Sequence, residues 1–407
     1  MRKRLLAEAE LPLETAVLVI VGMTVLIAGL LLIPATAGVL PYYESGLYGL
    51  ILFIFGLQTI LMGKTPFGEL PASRGLLGVG LFIASAGIVV CIIPSVPVRV
   101  VRAMLFVCLT PGGLLLMAQM ILSPKKLRLW ARVGGVLRPL PYSCTAVYLL
   151  SMILGSLLYM EQSACVHYLT AIVLTMQGGA VLYLARLLAS VYREYPQSTG
   201  DSGGSGDLPF DKAMLLLMGV FLVLLGLLLF PVNLGIIPFA ASAQIGLLMA
   251  VNAVQMLAAG GTPIGTFPRN GVMLLLGLLF AGAGIVSCIV PDLLTYPLTL
   301  LIGALNVANG VITLLKALPA MIKGAMNPLP EPIGPVLLRL YRTQTVMGGV
   351  SIMFGASMLL PGIIPGLVIS VVLTANGGVL LYLMRVLFQV EELARLAGET
   401  ASSKEVS

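Results

Sequence analysis

The chain has 407 residues, 59% of them hydrophobic and only 10% charged, with a mean hydropathy of +1.07. An ordinary soluble domain carries about 25% charge, so this composition excludes a water-soluble globular fold. The net charge of +7 comes without basic residues interleaved with aromatics on a soluble face, which argues against nucleic acid and for a topology signal with a preference for anionic lipid.

A span needs roughly 20 apolar residues to cross about 30 Å of hydrocarbon. Helices are the form to expect, because an open strand edge leaves backbone polar groups unsatisfied there. Residues 1–14 carry Arg2, Lys3 and Arg4; spans are then predicted over 15–34, 44–63, 75–94, 97–122, 145–160 and 165–190. The stretch 196–211 is a Gly/Ser-rich polar linker of flexible type. Six more spans follow over 213–231, 239–260, 271–291, 295–320, 344–360 and 363–388, and 396–407 is a polar tail. Arg2-Lys3-Arg4, the first apolar stretch and Ala35-Thr36-Ala37 have the outline of a signal peptide, but the stretch is too long for its apolar region and is read as the first membrane helix.

Residues 15–195 and 212–395 read as two diverged copies of one module. Gly38-Val39-Leu40-Pro41 returns 197 residues later as Gly235-Ile236-Ile237-Pro238, and Cys91-Ile92-Ile93-Pro94 returns at the same interval as Cys288-Ile289-Val290-Pro291. Leu174-Thr175-Met176-Gln177-Gly178-Gly179 returns 199 residues later as Leu373-Thr374-Ala375-Asn376-Gly377-Gly378. A fixed period of this kind decides a fold reading before anything else. The expected fold is an all-α polytopic membrane protein of about 12 transmembrane helices in two parallel six-helix repeats, each of three helical hairpins. An even number of helices per copy gives both copies one orientation, related by an axis near the membrane normal.

Of the 23 basic residues, all but Arg99 and Arg102 fall in or beside the loops after even-numbered spans and at the termini. The positive-inside rule therefore puts both termini in the cytoplasm. The outward loops are short, while the inward loops 123–143 and 323–343 are longer, carry Pro-Leu-Pro at 139–141 and 328–330, and are the expected surface for a protein partner or for lipid headgroups.

Little in the chain suits catalysis. There is one histidine, His167, so paired-histidine haem ligation within the chain is excluded, and no Cys-x-x-Cys-His stands for covalent haem. The cysteines Cys91, Cys108, Cys144, Cys165 and Cys288 form no metal-binding spacing, and no span holds the mid-membrane carboxylate or lysine that an ion-driven carrier needs. No metal, cofactor or catalytic residue is expected. Arg99 and Arg102, spaced i,i+3, start close to the outer surface, where they pair with Glu44 or Glu161 or grip a lipid phosphate.

The remaining candidates are uncharged and matched between the copies: Gln177-Gly178-Gly179 with Asn376-Gly377-Gly378; Pro111-Gly112-Gly113 with Asn306 and Asn309-Gly310; Gln58 with Gln255. Paired Gly/Pro interruptions point to a transporter's central site; the same residues also glue neighbouring helices, at around 1 kcal/mol per hydrogen bond. Both readings stand at this point.

The stretch Leu77-Gly78-Val79-Gly80-Leu81-Phe82-Ile83-Ala84-Ser85-Ala86-Gly87-Ile88, with Pro94 and then Gly112-Gly113, resembles the hairpin of HdeD-type proteins; residues 276–285, Pro291 and Asn309-Gly310 repeat it. Those are bacterial inner-membrane proteins of six helices in three short repeats, associated with acid resistance. The resemblance implies a tandem fusion of two such units over residues 15–390 in a bacterial inner membrane, with no catalytic residues to carry over. The 6+6 arrangement is also similar in outline to major facilitator transporters, although Gly63-Lys64-Thr65-Pro66-Phe67-Gly68 is not their charged loop signature. The sequence thus leads to a non-catalytic structural, stress-related or partner-binding membrane component. The alternative is a facilitative transporter of a small neutral or apolar solute, with its site between the repeats.

Overall fold

The computed structural model describes residues 12–62, 64–65, 68–69, 74–122, 137–160, 163–194, 210–262, 264–268, 270–326, 333–360, 362 and 364–405. Glu161, the segment 195–209 and the middles of both long loops, 123–136 and 327–332, lie outside the described residues. Twelve helices are described: α1 Leu13–Thr36, α2 Glu44–Met62, α3 Arg74–Ile92, α4 Val98–Leu122, α5 Leu140–Tyr159, α6 Ala164–Glu194, α7 Phe210–Asn233, α8 Ala241–Ala259, α9 Gly271–Ile289, α10 Thr295–Met326, α11 Ile333–Leu359 and α12 Gly366–Glu405. Eleven are long and apolar enough to cross a membrane, which makes this a multi-pass helical membrane protein. The exception is α11, whose first half holds Arg339, Arg342, Thr343, Gln344 and Thr345.

Two features depart from the sequence reading. Between α2 and α3, β1 Lys64–Thr65 pairs antiparallel with β2 Gly68–Glu69, and β3 Gly261–Thr262 and β4 Gly265–Thr266 form a second short ribbon between α8 and α9. Strands of two residues carry no alternation to read. In addition, α10 continues to Met326 and α11 starts at Ile333, so much of the loop expected over 323–343 is helix.

The chain forms two compact units: residues 1–209, 237–262 and 266–296, and residues 210–236, 263–265 and 297–407. The first therefore holds α1–α6 together with α8 and α9, and the second holds α7 and α10–α12. In the first unit, α2 and α8 are the most enclosed helices. Leu50, Leu52, Leu247 and Val251 are fully buried, and such all-round apolar burial marks a central helix.

Around them α2 packs on α3, α8 on α9, α4 on α5 and α1 on α6. These are the tightest pairs of the unit, so its packed hairpins are α2–α3, α4–α5 and α8–α9, with α1 and α6 laid together. Two backbone hydrogen bonds join the central pairs reciprocally: Tyr43 N–H donates to the Ile289 carbonyl at 2.8 Å, and Ala240 N–H to the Ile92 carbonyl at 2.9 Å. In the second unit α7 packs on α12, and α11 on α12. Asn233 Nδ2 reaches Ser370 Oγ at 3.2 Å near one end, and Lys212 Nζ lies 3.9 Å over the Phe388 ring near the other, a cation–π contact.

Local chemistry explains where helices stop. Gly38 and Gly235 adopt φ of +72° and +74°, the left-handed conformation that side chains resist. Each closes its helix by donating to a carbonyl three residues back, Ala35 and Val232 respectively, at 3.0 and 2.9 Å, a glycine C-cap. That is the physical content of the Gly-x-x-Pro motif. At the start of α9, Asn270 Oδ1 accepts from Met273 N–H at 2.9 Å, an N-cap.

Candidate functional site

The helix pairs approach at glycines, and there the matched residues of the sequence come to lie. A Cβ on Gly178 of α6 would overlap the Leu26 backbone of α1, and one on Gly29 would overlap Thr175. In the second unit a Cβ on Gly377 of α12 would meet the Gly219 carbonyl and the Val223 nitrogen at 2.6 Å, and Gly226 sits as closely against Thr374. A Cβ on Gly113 would lie 3.1 Å from the Tyr148 carbonyl where α4 meets α5, and one on Gly310 would lie 2.5 Å from the Gly348 carbonyl where α10 meets α11. Small residues that admit a neighbouring backbone are the usual adhesive between membrane helices, since lipid gives no hydrophobic force for their association. Gly112 is buried beside Pro111, which sits inside α4.

Gly179 and Gly378, which follow Gly178 and Gly377, behave differently. Nothing lies within 4 Å of a Cβ built on Gly179 or on Gly378. Gly378 lines a groove of about 330 Å³ between α11 and α12, together with Arg342, Val346 and Tyr382.

The amides of Gln177, Asn306 and Asn309 bond to neighbours within their own units. Gln177 is buried and donates through Nε2 to Ser151 Oγ at 2.7 Å, while its Oε1 is buried without a hydrogen-bond partner. Asn306 donates to the Ile302 carbonyl of its own helix at 2.9 Å and accepts from Ser351 Oγ at 3.5 Å. Asn309 Oδ1 accepts from Thr313 at 3.5 Å, again within α10. Asn376, Gln58 and Gln255 are half-buried. The sequence reading missed Ser151 and Ser351, although they stand 200 residues apart, because a lone serine in a span looks like any small residue.

At the other candidate, Arg102 of α4 reaches Glu44 at the start of α2. Its Nη2 lies 2.5 Å from Oε1 and its Nε 3.1 Å from the same oxygen, while Tyr48 Oη donates to that oxygen at 2.6 Å. Burial holds the nearby Tyr42 phenol above the ordinary tyrosine range, with the Glu44 carboxylate adding to the effect and Arg102 opposing it. Arg99 is exposed. The pairing with Glu44 anticipated from sequence is thus formed by Arg102.

His167 is half-buried on α6. Cys91 and Cys288 are buried on α3 and α9; their thiols donate to the Gly46 and Ala243 carbonyls at 3.7 and 3.5 Å, the weak bonding expected of thiols used as small apolar residues. Among the described residues no three His, Cys, Asp or Glu side chains gather as a metal set. No family model, curated protein or solved structure matches this chain.

Proposed function

We propose that this chain is a non-catalytic bacterial inner-membrane component, a fusion of two six-helix copies of HdeD-like type, with both termini in the cytoplasm. The observation that carries this reading is the fate of the mid-membrane glycines. Gly178 and Gly377, 199 residues apart, each admit the backbone of a packed neighbour, so that face of each helix serves adhesion. Equivalent contacts at Gly29 and Gly226, and at Gly113 and Gly310, support a common plan for the copies. The clustering of basic residues supports the orientation.

The facilitative-transporter reading draws on one observation, the buried unpaired Oε1 of Gln177. Leucine at Gly178 or Gly377 separates the two. For a packing role, detergent-extracted Gly178→Leu and Gly377→Leu proteins lose their monodisperse chromatographic peak. Well-folded variants that have lost a solute flux measurable in wild-type liposomes would instead support a gated site.

A further inference from the structure

We propose that the groove between α11 and α12 binds the phosphate and one acyl chain of an anionic phospholipid. At about 1.5 Å of rise per residue, Arg342 lies roughly 26 Å along α11 from Leu359, and Tyr382 roughly 24 Å along α12 from Gly366. Val346, Ala375 and Gly378 lie nearer the connecting turn, roughly 14–20 Å from it by the same measure. The groove of about 330 Å³ is therefore polar at its mouth, near the edge of a hydrocarbon layer about 30 Å thick, and apolar on its floor. Those are the two chemistries of a phospholipid, in the order a lipid presents them.

Charge complementarity selects an acidic one. Arg342 is exposed near that edge, where a long cationic side chain reaches the headgroup level, and a guanidinium grips phosphate through two parallel N–H bonds. Arg339 and Arg385, both exposed, add positive potential at the same end of the helix pair. Thr343 already donates its hydroxyl to the Arg339 carbonyl at 2.8 Å, which leaves Arg342 and the half-exposed Tyr382 as the recognition donors. Gly378 keeps the floor open, since nothing lies within 4 Å of a Cβ placed there.

The inference deepens the reading of the chain as a membrane component and is separable from it, because Gly178→Leu and Gly377→Leu probe packing whereas the groove is probed by other residues. The full chain, in neutral detergent, is titrated with short-chain phosphatidylglycerol, phosphatidylcholine or inorganic phosphate, and retained molecules are counted by native mass spectrometry. The wild type is expected to hold one phosphatidylglycerol in preference to phosphatidylcholine. Arg342→Gln is expected to weaken that binding roughly tenfold, the value of one charge-assisted contact. Gly378→Leu is expected to abolish it without lowering the melting temperature. Equal retention of the two lipids, equal competition by inorganic phosphate, or unchanged binding in Arg342→Gln overturns the proposal. If Gly378→Leu unfolds the protein, the groove is not open as described, and that result counts against the proposal as well.

Discussion

At Gly178-Gly179 and Gly377-Gly378, adjacent glycines do opposite work: the first of each pair admits a neighbouring backbone and the second faces open space. Alanine scanning should therefore split each pair. Gly178→Ala forces overlap with the Leu26 backbone and is expected to cost about 1–3 kcal/mol, the range for overpacking a filled site. Gly179→Ala is expected to be neutral or slightly stabilising, since glycine inside a helix is about 1 kcal/mol worse than alanine. Melting temperatures in one detergent check this, and equal losses at both positions would refute the packing assignment. The amide beside them makes a second test. Ser151→Ala leaves Gln177 buried with neither amide atom satisfied and is expected to cost about 1 kcal/mol, in line with hydrogen bonds between membrane helices. Gln177→Leu removes the unmet polar atoms together and is expected to cost less. If it proves the worse of the two, the amide serves something other than helix adhesion. The sequence showed these residues by repetition but not which glycine meets a partner, because a matched register says nothing about which helix face is covered.

Element by element, the apolar runs located the membrane helices well, because a span must satisfy its own backbone and so advertises its length in composition. Pairing was less legible. Short outward turns suggested hairpins such as that of α3 and α4, whereas the close packing joins α2 with α3, α4 with α5 and α1 with α6. Glycine faces determine this, and their partners are distant in sequence. Glu44 illustrates such a distant contact, since it gathers Arg102 from α4 and Tyr48 from its own helix onto one oxygen. Both charged side chains keep about a quarter of their surface exposed, 21% and 27%, so their interaction is part-screened by solvent. A double-mutant cycle on Glu44→Gln and Arg102→Gln is expected to give a coupling of about 1 kcal/mol. Because the pair is partly enclosed, added salt should weaken that coupling only slightly. A coupling near zero would mean that the two helices are held together by apolar contact alone.

At the scale of the whole chain, the compact units do not follow the sequence period. The hairpin of α8 and α9 lies beyond the linker in sequence, yet it belongs to the unit formed by α1–α6. The sequence could show the period but not this exchange, since any helix pair with the same glycine faces is an equally good partner on paper. The join is specific: the Tyr43–Ile289 and Ala240–Ile92 backbone bonds and the fully buried side chains of α2 and α8. Cutting the chain within 196–209 should therefore leave the first unit dependent on the second polypeptide. Residues 1–200 alone would keep the α1–α6 and α4–α5 pairs but lose the cover on α2. In lipid, tails can solvate the exposed apolar face, so the loss lies in packing and hydrogen bonds rather than in hydrophobic burial. The fragment is accordingly expected to insert into the membrane but to be cleaved faster by added protease than the intact chain. Co-expressed with residues 201–407, it is expected to copurify and regain protection. A lone 1–200 fragment as resistant as the intact protein would show that the α8–α9 hairpin contributes nothing to the first unit.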